Sequence, residues 1–162
     1  MLSNPLIDGL AGINFGLTFH HLGLAVKRPE AAVAFLRGMG YVTAAPVFDP
    51  LQNVNLILCT HTEAPSVEVI YRGNGHGPLD TLVARHANGI VYHCCYASAD
   101  VDKTLRKLSD VGIRTVCVSP PKPAVLFGGA SVSFYQFAGV GLIEIVQEMV
   151  TTPEDTDAVW RP

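Results

Sequence analysis

Four side chains in this sequence are of types that bind metals and move protons, and they recur at matched intervals. His21 stands in FHHLGLAV (Phe19 to Val26), and His93 stands 72 residues later in VYHCCYA (Val91 to Ala97). Glu68 lies in SVEVI and Glu144 in LIEIV, 76 residues apart. Each is set in a short apolar run of strand character. A lone carboxylate buried in such a run is costly, or its pKa shifts until it is neutral. One divalent cation held by two imidazoles and two carboxylates removes that cost. A mixed N/O set of this kind suits Zn, Ni, Co, Mn or Fe(II) and leaves octahedral positions free for water or a chelating substrate.

The elements that would position these groups repeat as well. Phe19–Tyr41 overlays Val91–Ile113 without a gap, setting His21 on His93 and Gly40 on Gly112. Each copy reads as an apolar strand, a polar turn and a helix closed by glycine. The first helix carries Ala32, Val33, Phe35 and Leu36 at helical spacing, the second Val101, Leu105 and Leu108. Pro29 suits a first helical turn, and Asp100 suits an N-cap.

Three further strands are expected in each half: 42–47, 54–59 and 67–71, then 114–118, 131–137 and 141–147. A short helix is expected from Pro78. The fold class is therefore α+β: two tandem βαβββ modules forming a curved mixed sheet around a metal-binding cavity. Module one spans 18–72 and module two 90–148, within a single domain of 18–150. Residues 1–17 form an N-terminal extension. An acidic tail, 151–162, is read as loose apart from Trp160.

Strand alternation assigns the faces. His21, Gly23 and Ala25 share a small-residue face, as do His93, Cys95 and Ala97. His20, Leu22 and Leu24 point the other way, as do Tyr92, Cys94 and Tyr96. A one-residue slip would exchange His21 for His20; the repeat alignment selects His21.

Bulk composition narrows the class. The 162 residues are 49% hydrophobic and 15% charged, with net charge −3. This composition fills a core and does not make the basic face of a nucleic-acid binder. The N-terminus lacks the features of a signal peptide, and no apolar run is long enough to span a bilayer, so a cytoplasmic protein is expected. Cys59, Cys94, Cys95 and Cys117 show no C-x-x-C spacing and read as small buried hydrophobes in a reducing compartment.

The motifs HHLGLAV, SVEVI, YHCCYA and GLIEIVQ resemble the vicinal oxygen chelate, or glyoxalase, superfamily over about residues 18–147. Within it the chain is similar to methylmalonyl-CoA epimerase-like and lactoylglutathione lyase-like proteins. The resemblance implies the metal ligands His21, Glu68, His93 and Glu144, one divalent cation, and a small-molecule substrate, with a homodimer expected. It implies proton abstraction beside a metal-bound carbonyl by an isomerase, epimerase or lyase, with an acyl thioester among the substrates. Some epimerases bring a separate glutamate from an early strand, but LQNVNLILC offers only the amides Gln52, Asn53 and Asn55. The proton then falls to a ligand carboxylate, Glu144 first and Glu68 second. Asn55, Lys122 and Tyr135 are substrate-binding candidates, and Ser119–Ser131 is a candidate covering loop. The alternatives are an Fe(II) extradiol-type dioxygenase and a non-catalytic protein that sequesters small molecules.

Overall fold

A computed structural model of the chain describes residues 13–148. The expected tail, with Trp160, and most of the N-terminal extension lie outside the described residues. The order is β1 (Thr18–Ala25), α1 (Glu30–Gly38), β2 (Val42–Thr43), β3 (Val47–Asp49), β4 (Val54–Thr60) and β5 (Ser66–Arg72). Then follow α2 (Asp80–Arg85), β6 (Ile90–Ser98), α3 (Val101–Asp110), β7 (Thr115–Pro123), a 3₁₀ turn (Val125–Phe127), β8 (Ser131–Phe137) and β9 (Gly141–Gln147). No helix among the described residues is long and apolar enough to cross a membrane.

The strands form one sheet ordered β2-β4-β5-β1-β6-β9-β8-β7, with β3 added beside β4. β1 and β6 pair antiparallel at the centre. Each has a parallel neighbour from its own half, β5 beside β1 and β9 beside β6. The expected α+β architecture with a mixed sheet is present.

One sheet face carries α1 and α3. Leu36 of α1 packs with Val26, Ile57, Cys59, Val67 and Val69. Val101 and Leu108 of α3 pack with Tyr135, Phe137, Ile143 and Ile145. Asp100 caps α3, its carboxylate accepting from the Lys103 amide at 2.8 Å, a contact worth about 1 kcal/mol. Phe35, one of the apolar residues at helical spacing, is exposed. The opposite, inner face is only partly filled. Its apolar groups are Val54, Leu56, Ile70 and Leu79 on one side and Ala124, Ala130, Val132 and Val146 on the other.

Several elements depart from the sequence reading. The strand expected at 42–47 splits into β2 and β3. β7 runs on to Pro123, so much of the expected covering loop is sheet: Lys122 pairs with Val132 and Pro123 with Ser131. Prolines are tolerated there because β7 is the sheet's last strand and is irregular, with register shifts on either side of Ser119. Only the stretch from Ala124 to Ala130 remains a turn, closed by Ala124 N–H donating to the Ala130 carbonyl at 2.9 Å. Cys117 is exposed, contrary to its reading as a buried hydrophobe.

Candidate functional site

The two central strands carry matching irregularities. In β1, Phe19 pairs with Tyr96 and His21 with Cys95, leaving His20 as an extra residue. In β6, His93 pairs with Gly23 and Val91 with Leu24, leaving Tyr92 extra. Each bulge re-aims side chains next to a central histidine. His20 therefore does not keep to the opposite face, and its Nδ1 lies 2.8 Å from His21 Nδ1. Tyr92 packs against the inner-face cluster with Leu79 and Val54, its ring 4.5 Å from that of His93. Period-two alternation missed both residues. The signal available was that His20 and Tyr92, both polar, occupy equivalent places in the repeat.

Cross-strand register brings the four predicted ligand residues together in two rows. Gly23 sits opposite Glu68 on one side and His93 on the other. Cys95 sits opposite Glu144 on one side and His21 on the other. The small residues in the middle of each row leave space over which the longer side chains lean. All four are buried: His21 is 0% exposed, Glu68 4%, His93 3% and Glu144 3%. Their ligating atoms all lie within 4.8 Å of one another. Glu144 Oε2 is 3.2 Å from the Nε2 atoms of both His21 and His93, and Glu68 Oε2 is 3.5 Å from His21 Nε2.

This donor set fits a cation. The Nε2 atoms of His21 and His93 face each other at 3.4 Å, and Glu144 Oε2 is buried without an aligned hydrogen bond. These donor atoms crowd one buried space, all within 4.8 Å of one another. If His20 Nδ1 accepts across this 2.8 Å contact, His21 would carry its proton on Nδ1 and offer Nε2 as a lone pair, the usual arrangement for a ligating histidine.

Without a cation, a proton on His21 would take over part of that role. Burial pushes the His21 imidazole down, but pairing with Glu144 and Glu68 more than offsets it and raises it from 6.5 to about 9. Burial pushes Glu144 up, and the two histidines overcome that and bring it from 4.5 to about 2. The His21 contribution to stability is complete below pH 6.5 and lost as pH rises through about 9. That of Glu144 is complete above pH 4.5 and lost as pH falls through about 2. Chelator-treated protein is thus expected to lose on the order of 3 kcal/mol between about pH 6 and about pH 10, read as a falling Tm. Protein loaded with a cation, which requires deprotonated His21, is expected to lack that step.

The remaining candidates divide. Lys122 lines a cavity of about 580 Å³, together with Tyr92, Phe134 and Leu142. Phe134 pairs with Glu144 across β8 and β9, and its ring is 5.4 Å from that of His93, so cavity and cluster share a wall. Asn55 and Tyr135 are not brought there. Asn55 lies on the opposite face of β4 from Leu56, and its Nδ2 donates to the Arg72 carbonyl at 2.6 Å. Tyr135 is buried in the cluster under α3. Asp49, a carboxylate ahead of β4, is buried and accepts from the Leu51 and Gln52 amides at 2.8 and 3.1 Å. Phe127 covers the histidines from the 3₁₀ turn, its ring 5.6 Å from His21 and 5.0 Å from His20.

Comparison with known proteins adds the following. A family model described as Glyoxalase/Bleomycin resistance protein/Dioxygenase superfamily matches residues 20–134. No curated protein matches the sequence. The crystal structure of a hypothetical protein from Bacillus halodurans C-125 has a TM-score of 0.68 at 16% identity, covering 84% of this chain and 97% of that one. Methylmalonyl-CoA epimerase from Mycobacterium tuberculosis has a TM-score of 0.65 at 18% identity, covering 98% and 97%. A variant methylmalonyl-CoA epimerase from Streptomyces coelicolor, in complex with 2-nitronate-propionyl-CoA, has a TM-score of 0.63 at 20% identity, covering 83% and 99%. At these identities the likeness is one of fold.

Proposed function

The chain belongs to the glyoxalase/bleomycin resistance protein/dioxygenase superfamily, and from that premise we propose that it is a divalent-metal-dependent isomerase, epimerase or lyase acting beside a carbonyl. The observation that carries this reading is the convergence of two imidazole nitrogens and two carboxylates, all buried, within 4.8 Å. His21, Glu68, His93 and Glu144 would hold the cation. When bound, it would polarise a substrate carbonyl and stabilise the charge that develops on its oxygen.

The chain's own groups supply the rest. Glu144, with an oxygen lacking an aligned donor, would take the proton from the carbon next to the carbonyl and return it. Glu68 is the second choice for that role. Tyr92, held protonated by burial and by the nearby carboxylates of Glu68 and Glu144, can donate to a substrate oxygen. Phe127 and Phe134 limit water around the histidines. An iron site of two histidines and one carboxylate, the dioxygenase alternative, gives Glu68 no part.

The epimerase neighbours, crystallised with methylmalonyl-CoA or a propionyl-CoA nitronate, make acyl thioesters the first substrates to try. Calorimetric titration of chelator-treated protein with Zn, Ni, Co and Mn is expected to give one equivalent bound. The loaded protein is then expected to exchange solvent deuterium into an acyl-CoA thioester or the glutathione hemithioacetal of methylglyoxal. Absence of stoichiometric binding by any of these cations would remove the reading.

A further inference from the structure

The cavity beside the cluster has a chemistry of its own. Its size, about 580 Å³, is that of a pocket enclosing a small molecule. Leu51, Val54, Leu79, Leu82, Phe134 and Leu142 are among the apolar residues of its wall. Two of its polar side chains are already engaged. Asn53 donates to the Asn74 and His76 carbonyls and accepts from the Asn74 amide, tying down the loop after β5. Gln52 Nε2 donates to Asp49 at 3.1 Å. Lys122 is the one lysine or arginine among the lining residues, and no aspartate or glutamate lines the cavity. It stands on a paired stretch of β7 and is half-buried.

We infer that this cavity selects a carbonyl compound with an apolar, phenyl-sized body and a single anionic group, the body packed on Phe134 and Leu142 and the anion paired with Lys122. Besides Lys122, the one lining side chain able to carry positive charge is His76, which pairs with Asp80 at 3.1 Å, so the phosphates of a coenzyme A carrier gain little inside the cavity and a thioester would place only its acyl part there. The apolar wall rewards a hydrocarbon body, at roughly 25 cal/mol per Å² removed from water. Tyr92 and Phe134, each against the His93 ring, connect the cavity to the cluster, so a bound molecule is delivered to the side of His93 and Glu144. The identity of the reacting carbonyl rests on the proposed function; the preference of the cavity does not.

The test therefore uses chelator-treated protein, so that it reads the cavity apart from the cation. Calorimetry compares 4-phenylbutanoate, its neutral amide and coenzyme A. The carboxylate is expected to bind about tenfold more tightly than the amide, the effect of one charge-assisted contact. Lys122→Gln is expected to erase that difference, bringing carboxylate binding down to the level of the amide. Leu142→Trp, which fills the cavity, is expected to abolish both, with circular dichroism reporting its fold; Lys122→Gln, at a half-exposed site, decides the matter alone if Leu142→Trp does not fold. Equal binding of carboxylate and amide, a difference that survives in Lys122→Gln, or coenzyme A competing at lower concentration than 4-phenylbutanoate would each overturn the inference.

Discussion

Replacing Glu144 by Gln is expected to lower solvent-deuterium exchange into substrate by roughly a thousandfold, within the range that a positioned proton-transfer group contributes. The substitution keeps the shape of the side chain and one oxygen, but removes the charge and the basic site. It also turns an amide toward Nε2 atoms that lie 3.2 Å from Glu144 Oε2 in the native protein, which weakens cation binding. The measurement is therefore made at saturating cation with metal content determined in parallel, so that loss of the base and loss of the ion are separated. Glu68→Gln serves as the comparison. Full exchange in the Glu144 variant with loss in the Glu68 variant moves the role to Glu68. Full exchange in both removes carboxylate proton transfer from the mechanism.

The second large effect comes from a residue with no side chain. A Cβ at position 23 would stand 2.1 Å from His93 Cε1 and 2.3 Å from Nε2. No small adjustment absorbs that overlap, so the imidazole must swing out of the cluster. Gly23→Ala is expected to weaken cation binding by roughly ten- to a hundredfold, the range seen when the support of a metal ligand is lost. Its cost to the fold is expected to be about 1–3 kcal/mol, as for other overpacked interiors. Gly38→Ala is the control: nothing lies within 4 Å of a Cβ there, and alanine favours a helix. Titration calorimetry and thermal melts on the two variants read both quantities. Native cation affinity in Gly23→Ala would contradict the position given to His93.

Much of this arrangement was legible in the sequence, and the reason is the repeat. His21 and His93 could be matched without a gap, and β8 and β9 have the expected bounds. Asp100 caps its helix as read. What could not be read is what depends on pairing between strands. The bulges at His20 and Tyr92 break the two-residue period, and a single strand's own sequence carries no mark of an extra residue opposite its partner. Tyr135 stands one place from Phe134, the residue that pairs with Glu144, and so faces the other side of the sheet. Asn55 alternates with Leu56 and so belongs to the helix-covered face with Ile57 and Cys59. The prolines Pro120, Pro121 and Pro123 signalled a loop, whereas an edge strand accommodates them equally well.

The four converging side chains come from β5, β1, β6 and β9, consecutive across the sheet and two from each half. Drawing β1 away from β6 therefore tears one ligand set in two. A bound ion would clasp the halves so that neither could unzip alone, and backbone amides along that seam would trade protons with solvent only through rare openings of the entire sheet. Occupancy would then be recorded far from the ion, in the slowest-exchanging amides of the molecule.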